Sequence, residues 1–199
     1  MFMALCSGKR AFYTAPIKAL VSEKFFGLVN MLGRENVGMI TGDSQINPQA
    51  PVICCTAEIL ANQALREGEW SDVGCVAMDE FHFYSDPDRG WAWQVPLLTL
   101  PHTQFLLMSA TLGDVSQIAQ ALESKTGTMV DIIADAPRPV PLEYKYELMS
   151  LEGTVELALR NNEGPLYIVH FSQDAALASA QALSSFGVTS NCLLYTSPS

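Results

Sequence analysis

Short apolar runs alternate with longer amphipathic stretches along most of the chain. "RAFYTAP" (10–16) gives way to "IKALVSEKFFGLVNMLG" (17–33), whose apolar residues recur at helical spacing and which closes on a glycine. "VGMITGD" (37–43) predicts a short strand, followed by a loop rich in Pro and Asn, "SQINPQAP". "PVICCTAE" (51–58) leads into a helical "ILANQALREG", and "QFLLMSAT" (104–111) into "LGDVSQIAQALESKTG". "VGCVAMDE" (73–80) instead runs into a loop marked by Asp86-Pro87 and Arg89-Gly90. A last pair, "GPLYIVHFSQ" and "DAALASAQALSSFG", predicts one more strand and helix.

Strands that are apolar throughout and separated by helices predict an α/β fold, a parallel sheet covered on both faces. In such a sheet the ligand site lies beyond the carboxyl ends of the strands. Those ends carry Thr14, Thr41-Gly42-Asp43, Thr56, Asp79-Glu80, Ser109-Ala110-Thr111 and Ser172. Ser, Thr and Asp are also the preferred helix N-caps. For Thr56 and Ser172 taken singly, capping is the simpler reading.

"APRPVPLEYKYE" breaks the pattern, because Pro137, Pro139 and Pro141 enforce an extended segment. It reads as a linker over 137–145, between a first domain at 1–136 and the beginning of a second at 146–199. The tail "NCLLYTSPS" (191–199) stands apart from the pattern as a foreign or misread end.

Composition supports a large core: 49% of the residues are hydrophobic and 16% charged. No run reaches membrane-spanning length, and "MFMALCSGKRAF" lacks the features of a signal peptide, so a cytoplasmic location and no membrane partner are expected. The five cysteines show no CxxC spacing and read as small reduced thiols, Cys54, Cys55 and Cys75 inside strands. A net charge of −10 argues against a broad basic surface, while leaving room for a narrow groove that meets phosphates through backbone amides and a few lysines.

The sharpest chemical feature is "VGCVAMDEFHFYSD", an apolar run that ends in two adjacent carboxylates. Buried carboxylates are costly unless something positive meets them. At a strand end such a pair can anchor Mg²⁺, which takes one or two carboxylates plus phosphate oxygens, and can ready a water for attack. A solvated Asp-Glu pair opening a loop is the plain rival.

The neighbouring stretches decide in favour of the first reading. "MDEFH" (78–82) resembles the DExH box of the superfamily-two helicases, and "SAT" (109–111) their third motif. "YTAPIKAL" (13–20) is similar to motif Ia, "TAEIL" (56–60) to motif Ib, and "MITGD" (39–43) lies between them as in that family. "RPVPLEY" (138–144) resembles the entry to the second RecA-like domain, and "VHFSQ" (169–173) motif IV. The ordered set spans about residues 4 to 190, and is most similar to the superkiller-like RNA helicases with Phe in the third box position.

The resemblance implies a RecA-like first domain, the start of a second, ATP and Mg²⁺ as cofactors, and nucleic acid as partner, RNA ahead of DNA. Asp79 would hold Mg²⁺ and Glu80 would be the general base. His82 would couple nucleotide state to strand binding, with a packed core histidine as its rival. Ser109 and Thr111 would link the acids' loop to domain movement, Thr111 having a helix cap as its rival. Pro16, Ile17, Lys18, Thr56 and Glu58 would line the nucleic-acid groove, where helix N-termini and hydroxyls meet phosphates. Lys18 reads equally well as an exposed lysine in a first helical turn. Arg89 reads as a surface partner of Asp86 or Asp88.

The phosphate-cradling Gly-x-x-x-x-Gly-Lys-[Ser/Thr] loop is not in the sequence. "SGKR" (7–10) has Arg10 in place of the hydroxyl residue and precedes a strand. The chain is therefore expected to be an internal piece of an ATP-dependent helicase, lacking the first strand of its first domain. A non-hydrolysing helicase-like clamp is the alternative. An unrelated α/β enzyme with a metal at Asp79-Glu80 ranks third.

Overall fold

A computed structural model describes residues 1–110, 112–134 and 139–184, which fall into two compact units on either side of residue 135. The first unit is built on a sheet of β1 (Arg10–Ala15), β2 (Val37–Ile40), β3 (Gln45–Ile46), β4 (Val52–Thr56), β5 (Val73–Met78) and β6 (Gln104–Leu107). Their order is β3-β2-β4-β1-β5-β6. All neighbours are parallel except β3, which folds back antiparallel on β2. The loop after "VGMITGD" thus contains a two-residue strand that its Pro and Asn content obscured.

The apolar runs lie in this sheet because both of its faces are covered. Phe12, Ile53, Cys55, Val76 and Met78 point to one side. There they meet α3 (Ala57–Glu67) and α4 (Trp91–Thr99), with Ile118 and Leu122 of α5 (Ser116–Thr126) at the margin. Ala11, Tyr13, Ala15, Val52, Cys54 and Ala77 point to the other side, onto Ala4 of α1 (Phe2–Cys6) and onto Val21 and Phe25 of α2 (Lys18–Leu32). Period-two alternation with both sets apolar is the signature of a central parallel strand. The helix α2 stops at Gly33, whose φ of 87° needs no Cβ and whose N–H closes on the Val29 carbonyl. The helix α4 lies in a stretch whose Asp-Pro and Arg-Gly dipeptides read as loop. Buried Trp93, Ala92 and Leu97 hold it on the core instead.

The second unit holds α6 (Leu151–Arg160) and α7 (Gln173–Ser184). Ser150 caps α6 by accepting the Gly153 N–H at 3.2 Å, and Ser172 caps α7 through the Ala175 N–H at 3.2 Å. The strand expected in "GPLYIVHFSQ" does not form: this run is irregular up to the start of α7, and Tyr167 (93%) and Phe171 (106%) are solvent-exposed. A parallel strand needs another strand beside it, and none exists among the described residues of this unit. Pro137, Arg138 and the tail 191–199 lie outside the described residues. No described helix is long and apolar enough to cross a membrane.

Cys54 and Cys55 are free and fully buried in β4, whereas Cys6 is exposed. Burial pushes the Cys54 thiol up to about 12 from an ordinary 9.0, and raises Cys55 in the same way. Tyr13 is raised as well, by burial first and then by its hydrogen bond to Asp79. All three groups are held neutral by the fold, so on alkaline titration the unfolded chain releases these protons first. The resulting stability is complete below about pH 9 and is lost progressively above it. Urea midpoints should therefore stay level up to about pH 8.5 and fall from there to about pH 11. A midpoint independent of pH across that window would contradict the assignment.

Candidate active site and nucleic-acid interface

The central strand β5 delivers Asp79 and Glu80 at its carboxyl end, between β1 and β6. Backbone hydrogen bonds pin that end to both neighbours. The Asp79 N–H donates to the Thr14 carbonyl at 2.8 Å, the Phe81 N–H to the Met108 carbonyl at 2.8 Å, and the Met108 N–H to the Met78 carbonyl at 2.9 Å. Adjacent residues on a strand point to opposite faces, which would separate the two acids. Glu80 escapes this by a left-handed backbone (φ 51°, ψ 47°), which ends the strand and starts the 3₁₀ turn Phe81–Ser85. Such a conformation costs a non-glycine residue about 1–2 kcal/mol, and strain of this kind collects at functional sites.

Each acid has its own company. Asp79 accepts hydrogen bonds from the Tyr13 hydroxyl and, at 2.9 Å, from the Glu80 N–H. The Trp93 indole donates to its carbonyl at 3.4 Å. Glu80 Oε2 lies 3.3 Å from His82 Nδ1, which is also 3.3 Å from Ser109 Oγ just past β6. Glu80 and His82 are each 37% exposed, so His82 is a half-open side chain beside the acid and not a packed core histidine. Asp79, Glu80, His82 and Ser109 therefore form one cluster. Thr111 lies outside the described residues.

The donor set suits magnesium only in part. Among the described residues no group of three or more His, Cys, Asp or Glu side chains is gathered to enclose a metal. Two neighbouring carboxylates at an open strand end are nonetheless what Mg²⁺ uses when phosphate oxygens and water complete its shell. The free lone pairs of Asp79, whose carboxylate is already oriented by two donors, fit that role.

The other sequence-selected residues gather at the ends of β1 and β4. Pro16 is buried, and Ile17 (51% exposed) and Lys18 open α2. Lys18 Nζ pairs with Asp43 Oδ2 at 2.6 Å, and Thr41 Oγ donates to Asp43 Oδ1 at 2.9 Å. These donors, Lys18 foremost, hold the Asp43 carboxyl below the usual range. Thr56 is the N-cap of α3 by backbone position, yet its hydroxyl makes no capping hydrogen bond, which leaves it unused by the helix.

Glu58 spends its carboxylate on Arg89, whose Nη2 lies 2.6 Å and Nε 2.9 Å from Oε1. The expected ion pair of Arg89 with Asp86 or Asp88 does not form. Asp86 instead accepts the backbone N–H groups of Asp88 and Arg89 at 2.9 and 2.8 Å. Sequence reasoning also passed over Tyr13 as a partner of Asp79. No local signal points to it, because the strand order that sets β1 beside β5 is decided by the fold.

Residues 1–134 match the family model for the DEXQ-box helicase domain of Suv3. The chain belongs to this family of superfamily-two helicase domains. Its own fourth box residue is His82, where the family's name prints Gln. The antiviral helicase SKI2 of Saccharomyces cerevisiae is 38% identical over 136 residues, covering 67% of this chain and 11% of the relative. The probable helicase HelY of Mycobacterium tuberculosis is 34% identical over 142 residues, covering 70% of this chain and 16% of the relative. A chloroplastic DExH-box ATP-dependent RNA helicase of Arabidopsis thaliana, DExH15, is 32% identical over 150 residues, 71% of this chain and 13% of the relative. The chain thus spans only between a tenth and a sixth of the length of these helicases. In fold it is similar to the Escherichia coli DExH-box NTPase HrpB, with a TM-score of 0.62, 18% identity, and coverage of 89% of this chain and 23% of that one. The sheet is RecA-like, and membership of the family removes the unrelated α/β enzyme from consideration.

Removing the hydroxyl that orients Asp79 tests the geometry of this candidate site. Tyr13→Phe should lower unfolding stability by roughly 1–3 kcal/mol, the usual worth of a hydrogen bond to a charged group. Urea denaturation at neutral pH measures it, and an unchanged midpoint would separate Tyr13 from the site.

Proposed function

We propose that this chain is part of an ATP-dependent helicase that couples ATP hydrolysis to movement along a nucleic-acid strand, RNA in preference to DNA. The observation that carries the reading is the contact of Glu80 with His82, and of His82 with Ser109, at the ends of two adjacent parallel strands. One side chain thereby touches both the acid suited to activate water and the segment that leaves the next strand. Such an arrangement lets a change at the acid be felt where the chain continues toward a second domain. The likeness to DExH15, an RNA helicase by name, supports RNA as the strand.

The chemistry assigns distinct duties to the residues present. Magnesium–ATP, when bound, supplies a terminal phosphoryl group open to in-line attack by water. Asp79 would hold the metal, its carboxylate kept in one orientation by Tyr13 and the Glu80 N–H. Glu80 orients the attacking water and takes its proton, and His82 lies within reach of the same carboxylate to steady it. Ile17, Lys18 and Thr56 face the strand, through the amino end of α2 and the free hydroxyl at the head of α3, with the buried Pro16 setting the entry to α2. Lys18 must then exchange Asp43 for a phosphate, a small step for an exposed pair.

The reading includes a first RecA-like domain over 1–136, a linker over 137–145 and the beginning of a second domain over 146–199. It also includes a cytoplasmic place of action, which suits the free buried thiols Cys54 and Cys55.

In a longer protein that contains this chain and a phosphate-cradling loop, Glu80→Gln should reduce ATP turnover by about 10²–10⁴-fold, the typical contribution of a general base. Turnover equal to wild type would take Glu80 out of that role, whereas no ATP turnover above background in the unaltered protein would leave the clamp as the better description. If motifs Ia and Ib meet about five phosphates, affinity for single strands should fall with salt at a log–log slope of roughly −3 to −4. A flat titration would reject the groove.

A further inference from the structure

Arg89 occupies a position that an ordinary surface ion pair does not require. Its guanidinium binds Glu58 Oε1 through two nitrogens and donates from Nη2 to the buried Pro16 carbonyl at 2.7 Å. It also lies 5.9 Å from the ring centres of both Phe83 and Trp93. Three segments distant in sequence therefore meet on one side chain: the end of β1, the first turn of α3, and the stretch that trails the two acids.

The local backbone is shaped to present Arg89 there. Asp86 accepts the Asp88 and Arg89 N–H groups, and the Gly90 N–H donates to the Asp86 carbonyl at 2.9 Å. A Cβ at Gly90 would stand 2.4 Å from the Tyr84 carbonyl oxygen and 2.5 Å from that of Asp86, so only glycine lets the turn close. Trp93, on which the guanidinium lies, donates its indole N–H to the Asp79 carbonyl. At 39% exposure for Arg89 and 29% for Glu58, the pair is partly withdrawn from water and feels less screening than a surface pair.

We propose that Arg89 is a positioning residue for strand binding: it neutralises Glu58 and fixes Pro16, so that the amino ends of α2 and α3 can receive phosphates. This rests on the helicase reading above, and deepens it. A bare carboxylate in the first turn of α3 suits that helix end but repels an incoming phosphate. With Arg89 in place the carboxylate is paired, and the helix terminus keeps its attraction for anions. Arg89 makes no contact with the reacting groups; it acts through Glu58 and Pro16, and joins them to the segment that begins at the acids.

The test measures the affinity of the longer helicase for a fluorescent uridine 20-mer by anisotropy. Arg89→Ala should weaken binding about tenfold, within the roughly 3- to 30-fold range of residues that act through others. Adding Glu58→Gln to Arg89→Ala should restore affinity to within about threefold of wild type, because the exposed negative charge is gone. A merely structural arginine would show no such rescue. Should Arg89→Ala fail to fold, Arg89→Met keeps the stem against Phe83 and Trp93 while removing the charge, and the same rescue is read in that background. Unchanged affinity in the single variant, or a double variant as weak as the single, overturns the proposal. If the wild-type protein binds no strand at all, the helicase reading itself falls, and this one with it.

Discussion

Two carboxylates stand side by side at the end of a strand that is covered on both faces, and nearly everything around them serves to make that placement tolerable. A strand alternates its side chains, so adjacent acids would point to opposite faces and one would sink into an apolar layer. The left-handed backbone of Glu80 prevents this by ending the strand between the two. Asp79 stays near the sheet, where Tyr13 and the Glu80 N–H supply hydrogen-bond donors. Glu80 turns toward open space, where it meets His82. The strained residue is thus also the one suited to activate water.

That local solution spreads outward through the segment Phe81–Trp93. Phe81 stacks on Tyr84 and is buried in the core, and Phe83 stacks on Trp93. This aromatic packing ties the 3₁₀ turn to α4, and Trp93 returns a hydrogen bond to the strand end it follows. Arg89 leans on the same rings and reaches the ends of β1 and β4. The two acids and the segments that follow β1 and β4 are therefore built on one continuous set of contacts. Such continuity is a physical basis for coupling between two sites.

The charge of −10 takes on a different meaning once the carboxylates are located. Glu58 and Asp43, both beside the expected groove, are each answered by a cation, Arg89 and Lys18 respectively. An acidic chain can present helix amino ends to phosphates if the carboxylates nearest those ends are paired. Overall charge governs long-range approach, whereas a few neutralised positions govern contact.

The sequence by itself determined the parallel sheet, the helices α2, α3 and α5, the family, and the residues at the strand ends, because period-two and helical spacing and ordered short motifs are local properties. It did not determine α4, since the loop-forming dipeptides before Trp91 outweigh the weak pattern inside a helix held by core burial. Nor is "GPLYIVHFSQ" a strand, although its apolar run predicts one, because a strand exists only beside another strand. Tertiary structure alone decided that Tyr13 orients Asp79, that Lys18 meets Asp43, and that Arg89 binds Glu58 instead of its near neighbours. Each of those pairs joins residues between 25 and 66 positions apart. Local sequence cannot rank such partners, because a charged side chain takes whichever opposite charge the folded backbone brings within reach.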